Sequence, residues 1–186
     1  MADGIRTSDI LTSRLMLRPM SARDWTDLRL IDDDPDVMAT LGGLRSEKET
    51  LGYALAQEHH WDEHGFGWWM AFLRETGEFV GRGGLRRLEI EGVLEVEVGY
   101  ALRPRLWGRG LATEIAETAV RLGIGDLGLN RLVGITMTSN HASRRVLEKV
   151  GFNHERELTW ASLPHDLYEL AAGERAVPEG VGASGA

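Results

Sequence analysis

The stretch from Tyr100 to Thr113, YALRPRLWGRGLAT, concentrates more usable chemistry than any other part of this chain. An apolar run ends at Leu102, Pro104 turns the chain, two glycines follow, and a helix-forming segment begins. The first turn of a helix carries N–H groups with no intrahelical acceptor, and the aligned peptide dipoles make that end partly positive. Gly108 and Gly110 have no Cβ, so an anion can approach the backbone closely. A pyrophosphate suits such a bend, each contact at the dipole end contributing about 0.3–1 kcal/mol, more when partly buried. The plainer alternative is that both glycines serve only the turn. Two phosphate-binding patterns are disfavoured, though a dinucleotide enzyme stays as a third alternative. A nucleotide-hydrolysing P-loop needs Lys and Ser/Thr after its last glycine, where this chain has Leu111 and Ala112. A dinucleotide fingerprint needs a sixth-position glycine, where this chain has Thr113. It also needs a parallel βαβ unit, whereas the feeding strand reads as part of an antiparallel meander.

Beyond this physical reading, Arg105-Leu106-Trp107-Gly108-Arg109-Gly110 resembles the (Arg/Gln)-x-x-Gly-x-(Gly/Ala) signature of GNAT N-acetyltransferases. Glu97-Val98-Gly99-Tyr100-Ala101-Leu102 and Pro104 are similar to the strand that precedes that signature. Asn140-His141-Ala142-Ser143-Arg144-Arg145-Val146-Leu147-Glu148-Lys149-Val150-Gly151-Phe152 resembles the family's N-x-x-S-x-x-[VL]-x-E-K-x-G-F stretch. Thr12 to Met20, TSRLMLRPM, looks like the RimJ/RimL branch, and the resemblance runs from about Thr12 to Leu170. It implies acetyl-CoA as co-substrate and direct acetyl transfer to a primary amine, either a protein N-terminal amine or a small molecule. It also implies that two strands splay apart to admit the pantetheine arm, which the strand end near Leu102 pairs with. Backbone amides from Arg105 through Trp107, Gly108, Arg109, Gly110, Leu111 and Ala112 to Thr113 would cradle the pyrophosphate. Asn140 would hydrogen-bond the arm, Ser143 would lie near the sulfur, and the amide near Leu102 would serve the oxyanion.

Acetyl transfer to an amine needs a proton taken from an ammonium, a donor for the carbonyl oxygen and support for the leaving thiolate. Glu97, which shares a strand face with Glu95, is the candidate base through a water; its alternative is a solvated or charge-matching carboxylate. Ser143 is the candidate donor to the thiolate, or simply a first-turn serine; Asn140 is a ligand contact or an N-cap. Tyr168 is a second phenolic donor or a core strand residue. His59, His60 and His64 lack the HExxH pattern, so no metal is expected. With Trp61, Phe66, Trp68 and Trp69 they either line the acceptor side of the cleft or fill core. Arg82, Arg86 and Arg87 read either as CoA-phosphate contacts or as a solvated strand face. The acidic run Asp32, Asp33, Asp34 and Asp36 reads as a solvated loop with a helix cap.

These residues must be placed by a mixed α/β scaffold. Strands are expected at Arg14–Arg18, Trp68–Leu73, Phe79–Leu88, Val93–Leu102 and Leu132–Met137, with two more at 152–158 and 167–171. Helices are expected over Asp24–Ile31, from Ser46 (a capping box with Glu49) to about His64, over Gly110–Ile124 and over Ala142–Val150. The family likeness implies a single GNAT-like domain over 1–172. In it, helices lie on both faces of a mostly antiparallel sheet with one splayed pair of strands. GERAVPEGVGASGA, 173–186, reads as a loose tail.

With 186 residues, 42% hydrophobic, the chain has the makings of one core. A net charge of -8 disfavours nucleic acid and anionic membranes and tolerates a cationic amine. There is no cysteine, no leader-like N-terminus and no apolar run near the ~18 residues a bilayer span needs, so a cytoplasmic protein is expected. A homodimer is compatible with everything above. The competing reading is a module that binds acyl-CoA without catalysis.

Overall fold

In the computed structural model, residues 9–173 are described; the expected tail, apart from Gly173, lies outside the described residues. In chain order the elements are β1 (Ile10–Leu11), β2 (Leu15–Pro19), α1 (Trp25–Asp32), α2 (Pro35–Met38), α3 (Glu47–His64), β3 (Trp68–Leu73), β4 (Phe79–Ile90), β5 (Val93–Leu102), α4 (Leu111–Val120), β6 (Arg131–Met137), α5 (His141–Lys149), β7 (Asn153–Trp160) and β8 (Leu163–Ala171). They build one sheet in the order β1-β2-β3-β4-β5-β6-β8-β7. Every neighbouring pair is antiparallel except β5 and β6, which run parallel and meet in register only at Glu97 and Val133. Beyond that point the two strands part, which is the expected splay.

Local chemistry sets the boundaries. Ser46 accepts from the Glu49 amide while Glu49 reaches back to the Ser46 amide, so two orphan donors are satisfied at the start of α3. Gly65, at φ 73°, closes the same helix. Asp34 caps α2 through the amides of Asp36 and Val37. The helix expected over Gly110–Ile124 is α-helical only to Val120 and continues as a wider π-type turn over Arg121–Asp126.

The sheet has a core on each face. On one, Val98, Leu102, Ile115, Ala119, Leu147 and Tyr168 pack between the strands and α4 with α5. On the other, Leu28, Ile31, Met38, Ala54, Trp68, Met70 and Ala101 pack beneath α1–α3. Strand alternation divides β5 between them: Val96, Val98, Tyr100 and Leu102 face α4 and α5, while Glu97, Gly99 and Ala101 face α1–α3. A Cβ at Gly83 would lie 2.6 Å from Ile115 Cγ2, so only glycine lets α4 sit this close to β4.

One residue of the acidic run departs from expectation. Asp32 is fully buried, not solvated. α1 turns it inward, where Arg45 at 3.0 Å and the Thr50 hydroxyl at 2.8 Å compensate its charge. No described helix is long and apolar enough to cross a membrane.

Candidate active site

The bend after β5 begins with a 3-10 turn, Pro104–Leu106, whose closure engages the Leu106 amide with Arg103 O and the Trp107 amide with Pro104 O. Then the pattern stops. From Gly108 to Thr113, six consecutive amides donate to no acceptor among the described residues; the next bond is Glu114 N to Gly110 O at 3.2 Å. The uninterrupted run of available donors is thus Gly108–Thr113; the Arg105 amide likewise has no acceptor among the described residues, while those of Leu106 and Trp107 are engaged. Gly108 and Gly110 stand at φ 71° and 76°, a region that side-chain-bearing residues avoid. A Cβ on Gly108 would meet nothing within 4 Å, so its side of the bend faces open space. A left-handed turn leaves six N–H groups unengaged at the positive end of α4, a donor array that can receive an anion.

The bend is braced on both sides. Trp107, half exposed, donates its indole N–H to Leu102 O at 2.7 Å. Arg103 N–H bonds Val80 O on β4, so Leu102, one residue earlier, turns its own amide and carbonyl toward β6 and the gap. Arg105 points to Glu78 at 2.6 Å. From the far end of the chain, Thr12, Ser13 and Arg14 converge on Glu114 in the first turns of α4. The Thr12 and Ser13 hydroxyls and the Arg14 amide all donate to Oε1, and the Arg14 guanidinium binds Oε2 at 2.7 Å. Burial pushes the Glu114 carboxyl up, but these hydrogen bonds together outweigh it and hold it at about 2. The same guanidinium donates to Arg109 O at 2.7 Å, which ties the clamp to the bend. Glu114 was not singled out in sequence, and Thr12–Arg14 only as part of a family-like segment, because contacts a hundred residues apart leave no local pattern.

At the opposite wall of the gap, Asn140 caps α5 by accepting from the Ser143 amide at 3.1 Å. Ser143 lies in the helix's first turn and is half-buried. Its hydroxyl is 3.1 Å from the Tyr100 phenol, which also donates to Ser143 O at 3.0 Å. Tyr100 reaches across from β5; burial first, against the Ser143 hydrogen bond, keeps its phenol protonated well above the usual range. Alternation placed Tyr100 on the α5 face, but nothing in the sequence revealed that it meets Ser143. Tyr168 is fully buried; its oxygen accepts from Arg144 at 3.2 Å and donates to Glu148 at 3.0 Å, so its proton is engaged.

Glu97 projects from the other face, buried, with Oε2 in an ion pair with Arg86. Its charge raises the Arg86 guanidinium's affinity for its proton. Arg82, two residues before Arg86's neighbour Gly84, is only 5% exposed, which overturns its reading as a solvated strand residue; α3 covers it, with Tyr53 at 4.9 Å and Trp68 at 5.3 Å from its guanidinium. Arg87 is exposed, as that reading had it. His60 bridges α3 to β4: Nδ1 donates to Phe66 O and Nε2 accepts from Arg87 N–H, both at 2.9 Å. That fixes a neutral tautomer and makes it a splint. Trp61, Phe66 and Trp69 are core, and Trp61 donates to Trp68 O at 2.8 Å. No metal-binding cluster occurs among the described residues.

Two surface recesses, of about 330 and 310 Å³, do not open on the bend, though the second runs along the Thr12–Glu114 clamp. The first is rimmed by Glu91, Glu95, Arg131 and Arg156, the second by Ser13, Glu117 and Arg121. Both are charged and shallow, and neither meets the Gly108–Thr113 amides.

Similarity to known proteins accords with this geometry. Residues 14–153 match the family model described as an acetyltransferase (GNAT) domain. The chain is 31% identical over 161 residues to the uncharacterized protein YkkB of Bacillus subtilis, covering 86% of this chain and 94% of that protein. It is 33% identical over 157 residues to the FsC-acetyl coenzyme A-N(2)-transacetylase of Aspergillus fumigatus, covering 77% of this chain and 64% of that one. The ribosomal-protein alpha-N-acetyltransferase RimL, solved in complex with coenzyme A, shares the fold at a TM-score of 0.70 and 17% identity, over 90% of this chain and all of that one. With its family model spanning most of the domain and its bend, gap and topology in place, the chain belongs to the GNAT acetyltransferases and is an acyltransferase.

Proposed function

We propose that the chain moves an acetyl group directly from acetyl-CoA to a primary amine, as a member of the RimJ/RimL-like branch. The observation that carries this reading is the run of six unengaged amides, Gly108–Thr113, at the mouth of the β5–β6 gap. Acetyl-CoA supplies an activated acetyl thioester. The Gly108–Thr113 amides hold the diphosphate, with Arg105, Trp107 and Arg109 at its rim. The gap-facing amide and carbonyl of Leu102 and the Asn140 side chain orient the arm. Trp107 takes one lone pair of the Leu102 carbonyl and leaves the second.

On the α5 side, Ser143 supplies a hydroxyl to the leaving sulfur, and Tyr100 restrains that hydroxyl with a phenol that stays protonated. On the α1–α3 side, Glu97 accepts the ammonium proton through a water, with Arg86 as its counter-ion. The acceptor amine belongs to a small molecule or to a protein N-terminus.

The test is mass spectrometry of amines incubated with acetyl-CoA and the chain, alongside calorimetry with CoA. An acetylated amine formed together with an equal amount of free thiol is the expected result. CoA binding with no product across a broad amine panel would instead mark an acyl-CoA-binding module. A diphosphate seated away from Gly108–Thr113 would end the reading.

A further inference from the structure

Four buried side-chain polar atoms on the α1–α3 face have no hydrogen-bond partner among the described residues: Tyr53 Oη, Gln57 Oε1, Trp68 Nε1 and Arg82 Nε. The three others of this kind, Glu78 Oε1, Arg131 Nε and Asp166 Oδ2, each sit in an ion pair. A buried donor or acceptor left unpaired costs about 1–3 kcal/mol, so four in one place call for an explanation.

They are contiguous. The Arg82 guanidinium lies 4.9 Å from the Tyr53 ring centre and 5.3 Å from that of Trp68. Gln57 follows Tyr53 by one turn of α3. Arg86 shares Arg82's face of β4, lies 5.7 Å from Trp68 and pairs with Glu97. Charge is compensated pair by pair except at one position. Arg86 has Glu97, and Arg45 has Asp32 at 3.0 Å. Arg82 is 5% exposed and forms no ion pair among the described residues. Burial, ahead of every other influence, weakens its hold on its proton; the nearby Asp32 charge, already paired with Arg45, opposes this without reversing it.

The atom types are specific. Arg82 Nε and Trp68 Nε1 can only donate, Tyr53 Oη can do either, and Gln57 Oε1 can only accept. Three donors beside one excess positive charge complement a carboxylate. Gln57 Oε1 and the Glu97 carboxylate, both on the α1–α3 side of the sheet, complement an ammonium. The phosphates of CoA are not the occupant, because Arg82 pairs in register with Ala101 and faces α1–α3, whereas the diphosphate cradle opens at α4 on the other face.

Resting on the acetyl-transfer reading, we propose that the acceptor is a small amino carboxylate: Arg82, Trp68 and Tyr53 seat its carboxylate, and Gln57 and Glu97 receive its ammonium. The amine nitrogen forms the new N–C bond as the thioester C–S bond breaks. The ammonium proton leaves by way of Glu97, and the thiolate is protonated to free CoA. A protein N-terminus has no carboxylate beside its amine and leaves Arg82 uncompensated.

The experiment supplies the full chain and acetyl-CoA with three probes: the twenty L-α-amino acids, their α-amides, and short peptides with free N-termini. The best amino acid should exceed its own amide by about a hundredfold or more in kcat/KM, because losing one member of a buried charge pair is severe. Tyr53→Phe keeps its ring and deletes one donor; Trp68→Phe deletes the indole donor but also shrinks a buried ring, so its Tm is followed alongside. Each should lower kcat/KM for the acid by about tenfold, chiefly through KM, and for the amide by clearly less, since hydrogen bonds to a charged acceptor are the stronger ones. Arg82→Gln should erase the preference while CoA affinity, read by calorimetry, stays as it was. Amides or peptides that match the free acids, or donor deletions that slow acid and amide alike, overturn the proposal. If CoA binds and no amine is acetylated, the transfer reading fails by itself. The carboxylate seat is then decided by titrating the amino acids into the CoA complex: heat that Arg82→Gln abolishes upholds it, and no heat overturns it.

Discussion

Replacing Glu114 with Gln should uncouple the N-terminal segment from the CoA-side helix, and the loss should depend on pH in a defined way. Glu114 is buried and accepts from Thr12, Ser13, the Arg14 amide and the Arg14 guanidinium, which together hold its carboxyl at about 2 against an ordinary 4.5. A unit of pKa is 1.36 kcal/mol, so the full shift corresponds to roughly 3 kcal/mol. Arg14 is half exposed, and screening reduces this to about 2 kcal/mol. The folded value lies below the unfolded one, so the stabilisation is fully present above about pH 4.5 and is lost as pH falls toward 2. Gln keeps an acceptor oxygen but turns an amide toward the Arg14 guanidinium and has no charge to titrate. Urea unfolding of both proteins at pH 7, 4 and 2.5 should show a gap of about 2 kcal/mol at neutrality that shrinks steadily with acid. At neutral pH this amounts to about 4–8 °C in Tm for a domain of this size. Because Arg14 also holds Arg109 O, CoA affinity should fall with it, by several-fold. A gap of constant size across that pH range would refute the clamp as an electrostatic device.

Four further outcomes follow from the same geometry. Gly110→Ala places a side chain at φ 76°, which costs about 1–2 kcal/mol of backbone strain; calorimetry should show CoA binding weakened by about tenfold, and unchanged affinity would count against the bend as the cradle. Ser143→Ala and Tyr100→Phe should each lower kcat by about tenfold, and the double variant should be no worse than either, since the two hydroxyls touch at 3.1 Å. Glu97→Gln should reduce kcat/KM by about a hundredfold or more with CoA affinity intact, though it leaves Arg86 buried without its counter-ion, so Tm must be followed as well. His60 has its pKa lowered, by burial first and then by the charge of His64, so its contribution is present above about 6.5 and declines as pH falls below that value. His60→Gln should flatten thermal stability between pH 7.5 and 5.5 by about 1 kcal/mol, the worth of the hydrogen bond to Arg87 N–H.

What could be read ahead of the structure was local, and what could not was brought together by folding. Ser46 with Glu49, Gly65 and Gly151 each act within a few residues of themselves, and each stands at the helix end that its chemistry implies. The alternation of Val93–Leu102 and the glycines of the bend are equally short-range, and the strand and the helix start follow them. Arg82 misleads for the converse reason. Within β4 an arginine at every fourth position has the pattern of a wet face, and only the lid formed by α3 over β3 and β4 buries it. Asp32 is hidden in the same way behind Arg45 and Thr50. Glu114 reads as one more charge in an amphipathic helix until Thr12–Arg14 arrives from the other end of the chain.

The division of β5 between two faces constrains the chemistry. Tyr100 and Leu102 look toward α4 and α5, where the Gly108–Thr113 amides and Ser143 lie; Glu97 and Gly99 look toward α1–α3, where Arg86, Trp68 and Arg82 lie. An intact sheet would keep these two environments apart, because the strands of a continuous sheet leave no passage between its faces. Here the parallel pairing of β5 with β6 ends at Glu97 and Val133, so the opening begins at the residue assigned to take the proton. A thioester held on one face and an amine held on the other can therefore meet only in the wedge beyond Glu97, with Ser143 at one wall and the Leu102 amide at the other. Additional β5–β6 pairing, as a substitution that drew Tyr100 against Thr136 would create, should leave diphosphate binding at the bend intact and remove transfer altogether.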